Sequence, residues 1–255
     1  EQTAEGLQIY LNTSDPANAT RYYRWEYEET WIYNSQVFSR MILDGEQVRL
    51  REPEEFIHRC FTGDRSSGIY LGNSEELASD AIHRFPIQFI PNLSEKLTER
   101  YSLLIRQMPL TKESYVYWEQ LRKSSQELGD IFGPMPSELQ GNITCVSHPE
   151  LHVIGMVEAV TTTEKRIYIS RNDLPRFWEV DNQVFHACLV LDTGDVKTAI
   201  RYLIDNPNFA VVGEVADNPN NPSAVYGYYY VTSMRCVDCA MRGGLYTPPP
   251  FWQDK

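Results

Sequence analysis

The sequence predicts a mainly β fold, an antiparallel sheet or sandwich carrying two accessory helices at about residues 111–128 and 196–205. Three observations lead there. The run Tyr22-Tyr23-Arg24-Trp25-Glu26-Tyr27-Glu28-Glu29-Thr30-Trp31-Ile32-Tyr33 alternates with period two. Tyr23, Trp25, Tyr27, Trp31 and Tyr33 fall on one face, interrupted only by Glu29, while Tyr22, Arg24, Glu26, Glu28, Thr30 and Ile32 fall on the other. An aromatic-rich run of this kind is a half-buried antiparallel strand. Shorter strand-like runs follow it along the chain, and only two segments carry a clear helical period.

The elements follow in order. Leu7, Ile9 and Leu11 alternate in a first strand, which Asp15-Pro16 ends before the aromatic strand. Asp44-Gly45 offers a hairpin turn. Residues 67–71 and 81–90 read as short strands around a helical turn at Ser74-Glu75-Glu76-Leu77. Tyr101 to Gln107 is a strand with Tyr101, Leu103 and Ile105 on one face. Thr111 caps the first helix, and Leu110 before it can pack on Tyr115 as a hydrophobic staple. Tyr117, Trp118, Leu121 and Leu128 share a face of that helix, and Gly129 stops it. Leu110, Tyr117, Trp118 and Leu121 are expected to dock it on the sheet containing Tyr101 to Gln107. Phe132-Gly133-Pro134-Met135-Pro136 continues neither regular structure.

Strands are expected again at residues 143–147, 153–161 and 165–170. In the second helix, Val196 to Asp205, the residues Val196, Ala199, Ile200, Leu203 and Ile204 keep the i, i+3, i+4, i+7, i+8 pattern. Asp195 caps it and Asn206-Pro207 ends it. Phe209 to Val215 and Ala224 to Thr232 then form a strand pair around the loop Asp217 to Pro222. No internal repeat or low-complexity tract is present, and one β-rich domain over residues 1–255 is expected.

Composition narrows the function classes. With 42% hydrophobic and 23% charged residues the chain is an ordinary globular one. Its net charge of −12, with no local basic patch, disfavours nucleic-acid binding and adsorption to an anionic membrane. No apolar run approaches the ~18 residues of a spanning helix. The chain opens on Glu1 rather than on Met, so an upstream targeting segment is expected.

Five cysteines leave at least one thiol unpaired within the chain: Cys60, Cys145, Cys188, Cys236 and Cys239. Cys236-Val-Asp-Cys239 is the sharpest local motif. A redox pair of this spacing sits at the start of a helix in a βαβ unit. Here it follows a strand, and Gly243-Gly244 and Pro248 to Pro250 exclude a long helix. A structural disulfide tying the C-terminal tail to the sheet is the favoured reading. A zinc site of His58, Cys60, Cys236 and Cys239 is the alternative.

Other motifs carry bland readings. Leu191-Asp192-Thr193-Gly194 resembles the catalytic triplet of aspartic proteases. It is followed by Asp195 and has no second copy, so it reads as the turn capping the second helix. Glu26 and Glu28 lie about 6.5–7 Å apart on one strand face, a separation open to a glycosidase pair. With Arg24 beside them they read as a solvated charge ladder. The rings of Tyr23, Trp25, Tyr27 and Trp31 form a platform for sugars or peptides if exposed, and core if buried. No nucleophile elbow, zinc-protease motif, phosphate loop or calcium loop is present. The catalytic, metal and cofactor sets are therefore read as empty.

Several segments together resemble one family. They are Tyr22 to Trp31, Tyr101 to Gln107, Tyr115-Val-Tyr-Trp-Glu119, Gly129 to Ser137, Gly141-Asn-Ile143, Val153-Ile-Gly155, Lys165-Arg-Ile-Tyr-Ile169, and Cys236-Val-Asp-Cys239 through Gly243-Gly244 to Pro250-Phe-Trp252. This order is similar to domain-of-unknown-function family 4249 of Bacteroidota cell-envelope proteins. The resemblance covers nearly the whole chain, with residues 171–225 carrying little of it. It implies a lipoprotein with an upstream β domain, associated with SusC-type TonB-dependent outer-membrane transporters. The upstream domain and lipid-bearing cysteine are absent from this sequence. Cys60-Phe61 resembles the Cys-Trp step of the family, which implies a bridge from Cys60 to Cys236 or Cys239. No catalytic residues are carried over.

The sequence therefore sets up a non-enzymatic accessory region of an outer-membrane lipoprotein, working with a TonB-dependent transporter by protein contact or ligand presentation. A free-standing glycan- or peptide-binding module and a carbohydrate-active or proteolytic enzyme are its rivals.

Overall fold

The aromatic run forms β2 (Tyr22–Asn34), the longest strand among the described residues. The structure, a computed structural model, describes residues 5–127, 141–151, 153–178, 188–215 and 228–254. It is mainly β, with several antiparallel sheets and three helices among those residues. β5 (Arg59–Arg65), β2, β8 (Arg100–Leu110) and β9 (Thr163–Ser170) are hydrogen-bonded in that order, and β6 (Tyr70–Asn73) also pairs with β2. The β-rich chain divides into two compact units, Glu1–Glu29 with Asp64–Pro91 and Ser102–Tyr168, and Thr30–Gly63 with Asn92–Tyr101 and Ile169–Lys255.

In the first unit, β1 (Gly6–Ser14) pairs antiparallel with β7 (Ala81–Pro91), Leu7 opposite Ile90 and Leu11 opposite Phe85. Ile9 and Leu11 are buried at period two, while Ile87 and Ile90 are buried three residues apart, where the ladder shifts register between Ile9 and Tyr10. The odd face of β2 is buried too: Tyr23, Trp25 and Tyr27 keep 2%, 1% and 7% exposure. The Trp25 ring lies 4.5 Å from that of Phe85. Its indole N–H donates to Gln107 Oε1 at 2.8 Å, and Gln107 donates in turn to Thr13 Oγ1 at 3.0 Å. A buried indole N–H left without such a partner carries a desolvation cost. Glu29, the interruption in the aromatic face, is buried and accepts from Gln88 Nε2 at 2.9 Å. The Tyr23 hydroxyl donates to buried Asp80, which also accepts from Ser74 Oγ.

The even face meets α1 (Lys112–Glu127). Thr111 Oγ1 accepts from the Ser114 amide at 3.1 Å, the expected cap. Leu110 and Tyr115 share a buried cluster with Leu71, the expected staple, and Trp118 packs against it. The Arg24 guanidinium stacks 3.8 Å above the Trp118 ring, and Tyr22 and Tyr115 lie 5.1 Å apart. The even face is thus partly covered rather than fully solvated. Ser102 and Leu104 of β8 are buried as well as Tyr101 and Leu103, because both faces of this sheet are covered. Ser74 to Leu77 is a single turn closed by Leu77 N–H on Ser74 O at 3.0 Å.

Two expected strands are corrected. Residues 143–147 and 153–161 are irregular, and the last of the three is β9. The Asn142 side chain donates to Val157 O at 2.7 Å and accepts from Val157 N–H at 2.8 Å, in place of a strand ladder. Val146, Ile154 and Val157 are exposed at 92%, 68% and 69%, so these runs have no buried face behind them. Leu128, Gly129 and Phe132 to Pro136 lie outside the described residues.

In the second unit the end of β2 is buried on both faces, with Ile32 and Tyr33 at 0% and 1% exposure. β3 (Met41–Asp44) and β4 (Gln47–Leu50) form a hairpin whose turn places Gly45 at φ 62°. β10 (Leu191–Asp192), β12 (Tyr228–Ser233) and β11 (Phe209–Val215) make a three-stranded sheet with β12 central. α2 (Val196–Asp205) has the expected bounds, capped by Asp195, whose Oδ1 accepts from the amides of Lys197 and Thr198 at 2.9 and 3.2 Å. Met41, Leu203, Val211 and Val231 form the core of hairpin, helix and sheet. α3 (Met234–Val237) is one short turn. The loop Asp217 to Pro222 and the start of the expected strand at 224–227 lie outside the described residues.

Trp25→Ala is expected to lower the free energy of unfolding by about 3–5 kcal/mol in urea titrations, the usual penalty for emptying a large aromatic site. Gly72→Ala should cost about 1–3 kcal/mol by overpacking, since a Cβ there would stand 2.6 Å from the Trp25 ring. A loss below ~1 kcal/mol for Trp25→Ala would place the ring outside the core.

Candidate functional site

The aromatic face offers no platform. Tyr23, Trp25 and Tyr27 in one unit and Trp31 in the other are each at most 8% exposed, so their rings are core side chains. Nor do Glu26 and Glu28 form an acid–base pair. Glu26 is ion-paired with Arg24. Glu28 meets Arg106 at 2.7 Å and Arg65 at 3.1 Å. The Arg106 hydrogen bond, outweighing desolvation, holds the Glu28 carboxyl below its ordinary range, opposite to what a general acid requires. Asp192-Thr193-Gly194 is a turn, with Gly194 N–H on Asp192 Oδ1 at 2.8 Å and Gly194 at φ 72°.

Four of the five cysteines are brought together in the second unit. Cys60 is bridged to Cys239, and Cys188 to Cys236, with Cα separations of 5.7 and 5.8 Å. The two bridges thus leave from the two ends of one four-residue motif. The zinc reading is corrected, because its three thiols are consumed in disulfides and His58 packs edge-on against Phe38 at 4.4 Å. No cluster of metal-ligating side chains occurs among the described residues.

A clasp surrounds the Cys60–Cys239 bridge. The Tyr33 hydroxyl donates to Cys239 O at 2.7 Å, and the Arg242 guanidinium lies 4.5 Å over the Tyr33 ring while pairing with Glu95 at 2.8 Å. Phe61 and Leu245 exchange backbone hydrogen bonds at 2.8 and 2.9 Å, and Trp252 packs edge-on against Phe61 at 5.2 Å. The tail is therefore held against β5. Cys145 is the free thiol among the described residues. A hydrogen bond with Ser147 Oγ, at 3.5 Å, is the main cause holding its pKa below the ordinary value.

Sequence reasoning missed one further feature. β3, α2, β11 and the turn carrying Met234 and Asp238 line an open cleft of about 470 Å³. Ile42, Leu43, Leu203, Ile204 and Phe209 line it, and Arg51 and Asp238 are its charged members. Two carboxylates near Arg51 are already engaged. Glu55 takes the fork of Arg49 at 2.7 and 2.8 Å, and Asp238 Oδ1 accepts from Ala240 N–H and the Tyr246 hydroxyl at 2.8 and 2.7 Å. Arg51 itself donates to neutral oxygens, Ser39 Oγ at 3.2 Å and Glu55 O at 2.9 Å. Burial lowers its pKa. The available sequence signal was the row Val196, Ile200, Ile204, which leaves Ile204 55% exposed at the cleft.

Fold and site together define a class: a mainly β protein with a disulfide-clasped tail and an apolar cleft of ligand-binding size. The chain belongs to the family described as Domain of unknown function (DUF4249), which matches residues 1–166. The matched span holds the aromatic strand and Cys60. The run from Cys236 to Trp252 lies beyond it, as do Cys188 and α2. No curated protein matches the chain, and no solved structure does.

Non-reducing peptide mapping is expected to return Cys60–Cys239 and Cys188–Cys236 with Cys145 alkylated. A Cys60–Cys236 peptide would contradict this pairing. A second check uses pH. The Arg49 hydrogen bonds, aided by the Glu52 amide, hold the Glu55 carboxyl at about 2 against an ordinary 4.5. The folded value is depressed, so its stabilisation is complete above the ordinary value and fades as pH falls toward the folded one. Melting temperatures of the native chain and of Glu55→Gln should differ at pH 6 and converge near the folded value. A constant difference across that range would contradict the assignment.

Proposed function

We propose that this chain is a non-enzymatic accessory region of an outer-membrane lipoprotein that works with a TonB-dependent transporter, through protein contact or ligand presentation. The observation that carries the reading is the pair of disulfides, Cys60–Cys239 and Cys188–Cys236. Structural disulfides belong to oxidising compartments, including the bacterial periplasm and the cell surface. The transporter, the lipid anchor and the Bacteroidota setting are what the family resemblance implies. A net charge of −12 repels anionic headgroups, so membrane association requires an anchor of the kind the resemblance implies.

Ligand presentation is favoured by the cleft beside α2, and on that ground a free-standing module for a glycan, peptide or small molecule is the second reading. The enzymatic reading has less behind it, since Glu26 and Glu28 are each tied to a guanidinium.

Affinity isolation of the native protein from envelope membranes, followed by mass spectrometry of co-purifying chains, tests the reading. A TonB-dependent transporter is expected at near-stoichiometric yield. Recovery of the protein without any transporter would overturn the accessory role and leave the free-standing module.

A further inference from the structure

We propose that the cleft between hairpin β3–β4, α2 and β11 binds a small amphipathic monocarboxylate, an aliphatic body lying on Ile42, Leu43, Leu203 and Phe209 with its carboxylate on Arg51. The volume, about 470 Å³, lies within the ~300–1,000 Å³ range of sites that hold small molecules. Most of the lining is aliphatic or aromatic, which selects an apolar body.

Charge selects the head. Arg49 and Arg51 stand two residues apart on the same segment and are treated in opposite ways. Arg49 is paired with both Asp44, at 2.8 Å, and Glu55, at 2.7 Å. Arg51 forms no ion pair among the described residues and donates only to a hydroxyl and a carbonyl. Glu55, Asp238 and the Tyr246 phenol act on it through their charge, at longer range than an ion pair. Glu55 is chelated by Arg49, and Asp238 is held by Tyr246 and Ala240. A half-buried guanidinium held by neutral oxygens keeps its charge at a desolvation cost. A carboxylate entering the cleft supplies a counter-charge in direct contact, which neither Glu55 nor Asp238 makes with Arg51. The cleft reading is independent of any transporter partner.

Calorimetric titration of the disulfide-intact chain with decanoate, decanol and decyltrimethylammonium tests this directly. Decanoate is expected to bind saturably at one site, at least tenfold tighter than decanol, with the cation weakest. Shortening to octanoate should weaken binding by roughly fourfold per buried methylene removed. Arg51→Gln should bring decanoate to the level of decanol. Ile204→Trp, at a position more than half exposed, should narrow the cleft and weaken both. Absence of saturable decanoate binding at millimolar concentration, or equal binding of decanoate and decanol to the native chain, would overturn the proposal. Should Arg51→Gln fail to fold, the three-ligand series on the native chain still decides.

Discussion

Burial of β2 is the constraint on which the rest depends. Three strands, β5, β6 and β8, pair with it, more than with any other strand among the described residues. Its first half must hide Tyr23, Trp25 and Tyr27, and each ring brings a polar atom that needs a partner. The partners come from distant sequence: Asp80 for Tyr23, Gln107 for Trp25, and the Tyr70 hydroxyl at 3.2 Å for Tyr27. Those requirements position β6, β7 and β8 in the first unit. In the second unit Tyr33 plays the same part, its hydroxyl reaching Cys239 O and so placing the C-terminal turn.

That placement gives the disulfides their context. Cys60 and Cys239 are separated by 179 residues, so the chain-entropy model puts the bridge near 5 kcal/mol, with measured bridges more often at 2–4. The Cys188–Cys236 bridge closes 48 residues and fastens α3. With both ends of the motif bonded, Asp238 between them is fixed at the cleft, where Tyr246 holds it. Clasp and cleft are thus neighbouring parts of one unit, and the chemistry of the cleft rests on how the clasp spends its carboxylate.

Much of this was legible locally. α2 could be bounded to the residue because Asp195 and Asn206-Pro207 are strong local signals and its apolar row is regular. The staple of Leu110 on Tyr115 is likewise local. The false strands at 143–147 and 153–161 show the limit of pattern. Ile143, Val146, Ile154 and Val157 give these runs the β-branched, apolar character of strands, yet a strand also needs a partner edge, and the Asn142 side chain takes that place at Val157. Cys188 carried no spacing signal, since its partner is chosen by where α3 lies. Arg51 was illegible for a related reason. Its significance is that Glu55 is spent on Arg49, and a pairing choice between two adjacent arginines is written in three dimensions only.

If burial of β2 holds the rest in place, β2 is the last strand to open, and native-state hydrogen exchange resolved along the chain tests this most directly. The amides of Tyr23 to Tyr33 are expected to exchange only through global unfolding, with a free energy equal to that from denaturant titration. Exchange of these amides at free energies well below the global value, through local opening of β2, would contradict it.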